Sequence, residues 1–270
     1  MPLPFRLLLV LIVATTVSGC SGAKTKGLFS RLREPAPLRV GITLDTPPLA
    51  YEKGDVAIGL EVKFAAGLAQ HLQRRLELVE LERNSLDKAL LDDKVDIIMA
   101  GMRVADAHAR KLATTNPYLL SGQVALVHLD DFKQLGNGTR NLSAKNVRIG
   151  VVEGGAGDNL LKGLNPKGTT NRYPSAQEGV QALIGDKIDV FLHDLPVNCF
   201  YASLHVDKGL TPGVTLLTRE PLAWAVRPKD STMREAANTY LAEIEKNGDL
   251  QKMLEHTIPF YRNTAYSPRQ

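Results

Sequence analysis

Cysteine is scarce in this chain: Cys20 and Cys199 are the only two in 270 residues, so one bridge is the most that can form and a disulfide framework is excluded. The six histidines (His71, His108, His128, His193, His205, His256) fall at no metal-ligand spacing, and no nucleophile elbow follows any strand-like segment. Nothing in the sequence therefore argues for a metal, a cofactor or a hydrolase. Long apolar runs are missing too. Residues 7–17 form an apolar-rich stretch of eleven positions, short of the ~20 that span a bilayer. Against these absences, 44% hydrophobic and 23% charged residues describe a folded globular chain with no compositional sign of disorder.

The charge is unevenly placed. Of 33 basic and 29 acidic residues, Arg6, Lys24, Lys26, Arg31, Arg33 and Glu34 lie in the first 37 positions, which leaves 28 of each sign in the rest. The net charge of +4 thus sits at one end, where it favours an anionic lipid surface over nucleic acid. That end reads MPLPFRLLLVLIVATTVSGC: one positive residue, a short apolar run, small residues, then Cys20. The ending Val17-Ser18-Gly19-Cys20 resembles a bacterial lipobox, which implies a signal peptide over 1–19, lipidation of Cys20 and a tether over 20–37. Ser21 rather than Asp after the cysteine implies, by the same resemblance, the outer membrane of a two-membrane cell. Cys199 is then left without a partner and reads as a buried small hydrophobe.

From Leu38 onward, short β-branched runs alternate with helix-period stretches. LRVGIT, LELVEL, DIIMA, QVALVH, RIGVV, IDVFL, VTLLT and LAWAV predict strands, and the alternation predicts an α/β fold with largely parallel sheets. One phrase occurs twice, DKVDII at 93–98 and DKIDVFLHD at 186–194. Ser85 and Ser175 stand before the preceding helical stretches as caps, Ser175 with Glu178 at capping-box spacing. Two copies of one helix–turn–strand unit predict two similar lobes with a ligand cleft between them.

The segments LRVGITLDTPPLAYEKGDVAIGLEVKFAAGLA, DIIMAGMRVADAHARKLATTNPY, GVVEGGAG, IDVFLHDLPV and LAWAVRPKDSTMREAANTYLAEIEKNGDLQKML occur in an order that resembles the bacterial extracellular solute-binding proteins of the polar amino-acid type. The resemblance implies a two-lobed, type II periplasmic-binding-protein fold, each lobe a mostly parallel sheet flanked by helices. It places lobe 1 at 38–124 and 220–270, lobe 2 at 125–219, and QVALVH and VTLLT as the hinge strands. It also implies a periplasmic, monomeric receptor that does no chemistry and hands an amino-acid-like ligand to the membrane permease of an ABC importer.

In that family a Thr and an Arg clamp the ligand carboxylate while an Asp takes the ammonium, because a planar guanidinium binds a carboxylate bidentately and a desolvated ammonium needs a fixed anion. Here the Asp is Asp194, at the end of the second repeat. The Thr position is Arg103, just past Gly101 at the end of the first, and the Arg position is His108, with Arg110 two residues beyond. The Gly-Thr-Thr turn has become Gly154-Gly155-Ala156, whose exposed amides suit an anion. Asp45 and Tyr51 flank the Pro47-Pro48 turn as a polar contact and a stacking ring. Asp194 also reads as the N-cap of a helix opened by Pro196, and Trp224 as core. Two further readings stay open. One is a dehydratase of the cyclohexadienyl type, with Asp158 as a shortened catalytic acid. The other is a signalling or scaffold lipoprotein with a degenerate cleft.

Overall fold

The computed structural model describes residues 35–263. The expected signal segment, Cys20 and the tether up to residue 34 lie outside them. Two five-stranded sheets organise the described residues, and both are wired in the same way. In the first, Leu38–Ile42 runs parallel to Leu76–Glu80 on one side and Ile97–Ile98 on the other, followed by antiparallel Ala225–Val226 and then Ala113–Thr114. In the second, Arg148–Val152 runs parallel to Thr169–Tyr173 and Val190–Asp194, followed by antiparallel Gln123–His128 and then Leu210–Pro212. The strand next to each parallel trio comes from the other half of the chain, so the backbone crosses between the lobes twice.

The repeated phrase is what joins helix, turn and strand within each lobe. Asp96 accepts the backbone N–H of Arg39 at 3.0 Å and its guanidinium at 2.6 Å, while Arg39 also donates to the Asp93 carbonyl. In the second lobe Asp189 accepts the Arg148 backbone N–H at 2.7 Å and its Nε at 3.1 Å, while Arg148 donates to the Asp186 carbonyl. Both aspartates of Asp-Lys-Val-Asp and Asp-Lys-Ile-Asp thus clasp an arginine at the start of the lobe's central strand. The helices before them are Leu86–Leu91 and Ala176–Ile184, the second the longer.

Three local expectations are corrected. Ser175 caps its helix by accepting from the Glu178 amide at 3.2 Å, but Ser85 makes no cap bond. It closes the 3₁₀ turn Arg83–Ser85 and donates to Asn84 instead. Residues 214–218 (VTLLT) form no strand, and Gln123–His128 lies inside the second sheet. The two crossovers pair with each other just before it, Leu119–Ser121 with Glu220–Leu222. Three short antiparallel strands, Asp45–Thr46, Ala50–Lys53 and Val56–Ile58, form a further small hairpin sheet.

Apolar burial also ties the lobes together. Leu195 and Cys199, on the helix Leu195–Leu204 that follows the second repeat, are fully buried in the first lobe's cluster with Leu49, Tyr118 and Leu119. Cys199 is free and its thiol is pushed up to about 12 by burial, as expected of an unreactive packing residue.

Candidate solute-binding cleft

A cleft of about 590 Å³ opens where the carboxyl ends of both sheets meet, the place where α/β sheets hold ligands. Its first wall is built around the turn after Ile97–Ile98. Gly101 lies at φ +61°, a conformation glycine adopts without strain, and a side chain there would press on Leu49 Cδ1 at 2.7 Å. The Gly101 amide donates to the buried Glu61 at 2.7 Å. Arg103 follows, bridged by its backbone to Leu222 of a crossover strand. Its Nε donates to Asp106 at 2.7 Å and its Nη1 to Glu220 at 3.3 Å. Burial alone lowers the Arg103 pKa, but the Asp106 hydrogen bond and the charges of Asp106, Glu220 and Asp194 raise it overall. Arg103 is therefore a permanent cation.

The second wall is formed by Asp194 and by Gly155-Ala156 at the start of the helix Ala156–Leu164. Asp194 precedes its helix but makes no capping bond. Its carboxylate accepts from Gln123 Nε2, and among the described residues no Lys or Arg lies within ion-pair distance of it. His193 stands 3.9 Å away. Burial lowers the His193 pKa, and its Nδ1 accepts the Asp194 amide at 2.8 Å, so the ring is neutral with its proton on Nε2.

Of the expected site residues, Asp45, Gly101, Arg103, Gly155, Ala156 and Asp194 line the cleft. Asp45 is already engaged: Arg83 donates to it at 2.7 Å, and also to Thr46, Thr43 and the Ala100 carbonyl. Burial pushes the Asp45 carboxyl up, but Arg83, with Thr46 and Thr43, brings it below its usual value. Two expectations fail. His108 is exposed on the far side of the helix Val104–Ala109, because five residues past Arg103 is about 500° of helical rotation. Arg110, seven residues on and nearly in phase, lines the cleft instead. Tyr51 is not a lining residue; two positions beyond Leu49 it reaches the second lobe, and its ring meets Phe200 at 5.4 Å.

Asp158, the acid required by the dehydratase reading, is also absent from the cleft. It is buried and held by Arg172 at 2.9 Å and Lys162 at 3.3 Å. The Arg172 hydrogen bond keeps its carboxyl below the usual range, so it is an anion with no proton to give. Arg83, Asp106 and Glu220 carry no sequence motif, and their closeness to the cleft arises only in the fold. Among the described residues no group of His, Cys, Asp and Glu is arranged to hold a metal, and no helix is long and apolar enough to cross a membrane.

Residues 38–258 match the family "Bacterial extracellular solute-binding proteins, family 3". The chain belongs to this family. Its fold is accordingly the type II periplasmic-binding-protein fold of the extracellular solute-binding proteins. The L-cystine-binding protein TcyJ of Escherichia coli (strain K12) is 27% identical over 240 residues, 85% of each chain. A cyclohexadienyl dehydratase of Pseudomonas aeruginosa is 24% identical over 276 residues, 98% of this chain and 99% of that one. Among solved structures, an "Ancestral Cationic Amino Acid Solute Binding Protein" superimposes with a TM-score of 0.76 at 26% identity, over 82% of this chain and 95% of that one. On the family-3 fold of this chain, Asp194 therefore stands on one cleft wall while Arg103 and Arg110 line the other.

Proposed function

We propose that this chain is a lipid-anchored, monomeric receptor outside the cytoplasm that traps a small amine-bearing, amino-acid-like solute between its lobes for an ABC-type importer. The observation that carries this reading is Asp194, a carboxylate on one cleft wall with no Lys or Arg partner among the described residues, facing Arg103 on the other. An ammonium fits the first, and the Ala156 amide with Arg110 offers an anion its contacts, the Gly155 amide being donated to the Val152 carbonyl at 3.0 Å. Cys20 with its lipobox-like approach and the basic residues behind it support the anchor.

Thermal melting with a panel of amino acids, opines, polyamines and small acids tests the reading. At a hundredfold excess over Kd the right ligand stabilises by about 2.7 kcal/mol, raising Tm by ~5–10 °C. Asp194→Ala abolishes the shift. A panel that never moves Tm would replace this reading with the signalling or scaffold lipoprotein.

A further inference from the structure

Arg103 is close enough to Asp194 for the carboxylate to raise its pKa, yet the protein itself occupies it. Asp106 takes Nε at 2.7 Å and Glu220 takes Nη1 at 3.3 Å. Glu220 belongs to a crossover strand and lies behind Arg103, not on the cleft surface. Its other oxygen accepts from Thr218 Oγ1 at 2.7 Å. That hydroxyl accepts the Gln123 amide at 2.8 Å, and the Gln123 side chain donates to Asp194. A path of hydrogen bonds, joined through Gln123 itself, therefore runs from the lobe-2 acid by way of Glu220 on a crossover strand to the lobe-1 cation.

The charges along this path do not balance. Asp194, Glu220 and Asp106 are three carboxylates against the single guanidinium of Arg103, and His193 is neutral. The neighbouring cations do not correct the difference, since Arg83 is bound to Asp45 at 2.7 Å and Arg110 lies 3.9 Å from Asp87. Closing the lobes takes this excess negative charge out of water, which is costly unless the ligand brings positive charge with it.

We propose that Glu220 is a positioning residue that sets ligand charge: by holding Arg103 from behind, beside Asp106, it neutralises the cleft's central cation, so the site selects amines of net positive charge over neutral isosteres. The inference rests on the amine-trap reading of the cleft and adds the class of amine. A unit charge behind the cation, at ~10 Å from the ligand and an effective dielectric of about 20, is worth on the order of tenfold in the ratio of affinities.

Calorimetric titration of the full-length chain uses two pairs that match in shape and differ in charge, L-arginine with L-citrulline and L-lysine with L-norleucine. The cationic member binds at least tenfold tighter in the wild type. Glu220→Gln narrows that ratio by on the order of tenfold, and Glu220→Asp restores it. Asp106→Asn moves the ratio in the same direction should the glutamine variant fail to fold. A purely structural strut would weaken both members in proportion, so an unchanged ratio overturns the role of Glu220. Neutral members that bind as tightly as cationic ones in the wild type overturn charge selection while leaving the amine trap intact. If neither pair binds and no amine in the melting panel shifts Tm, both readings fall.

Discussion

Glu61 lies fully buried beneath the Gly101 turn, and its oxygens accept from Tyr118 Oη, from the Trp224 indole at 3.0 Å and from the Gly101 amide at 2.7 Å. Three donors on one carboxylate tie Trp224 and Tyr118 to the Gly101 turn that lines the cleft. Burial raises the Glu61 pKa above 4.5 in spite of them. A group whose folded pKa is raised contributes stability that is lost as pH rises from the unfolded value through the folded one. Glu61→Gln, which turns an NH₂ toward donors, should cost about 1–3 kcal/mol. Urea unfolding should show the gap to the wild type narrowing from pH ~4.5 to neutrality; a gap that widens would contradict the assignment. At this scale the sequence is legible near strand ends: Asp194 closes one strand, Arg103 lies on the turn after another, and both line the cleft. It misleads at His108, where helical phase decides which of two basic residues lines the cleft. Arg83 and Glu220 were illegible because nothing local marks a loop or crossover residue that tertiary folding brings to a cleft.

The helix Leu195–Leu204 does two jobs at the scale of the element. Leu195 and Cys199 on it are buried in the first lobe's cluster, while Phe200, partly buried, meets Tyr51 of the hairpin across the lobe boundary. Aromatic pairs of this geometry contribute about 0.5–1.5 kcal/mol, enough to bias an open–closed equilibrium severalfold. Phe200→Ala should therefore enlarge the radius of gyration of the unliganded protein in X-ray scattering and weaken ligand binding by roughly two- to tenfold. If scattering is unchanged, the ring pair is packing and not a latch. Strong periodic elements such as Ala176–Ile184 with its Ser175 cap were readable in advance. The hairpin strands of two to four residues were not, because so short a run shows no period. The crossover pair Leu119–Ser121 and Glu220–Leu222 escaped for the same reason.

Across the whole molecule, the duplicated Asp-Lys-x-Asp phrase predicts how the protein meets acid. Burial pushes Asp96 and Asp189 up, but the side-chain and backbone hydrogen bonds of Arg39 and Arg148 hold both below 3.8. A carboxyl with a depressed folded pKa contributes stability that is present above its unfolded value and lost as pH falls through the folded one. Both lobes therefore lose their clasp in one window, below about pH 4, and the shared apolar cluster around Leu195 makes them unfold together. The two clasps are unequal. The Asp96 side chain is 9% exposed and is also held by Arg74 at 2.7 Å, whereas Asp189 is 25% exposed beside an Arg148 that is 45% exposed. Solvent screens the second pair. Asp96→Asn should cost about 2–3 kcal/mol at neutral pH and Asp189→Asn about 1 kcal/mol, and the double variant should flatten the acid limb of Tm against pH. Calorimetric scans between pH ~3 and 7 check this: equal penalties, or an acid limb unchanged in the double variant, would show that the repeated phrase is not what holds each lobe's central strand.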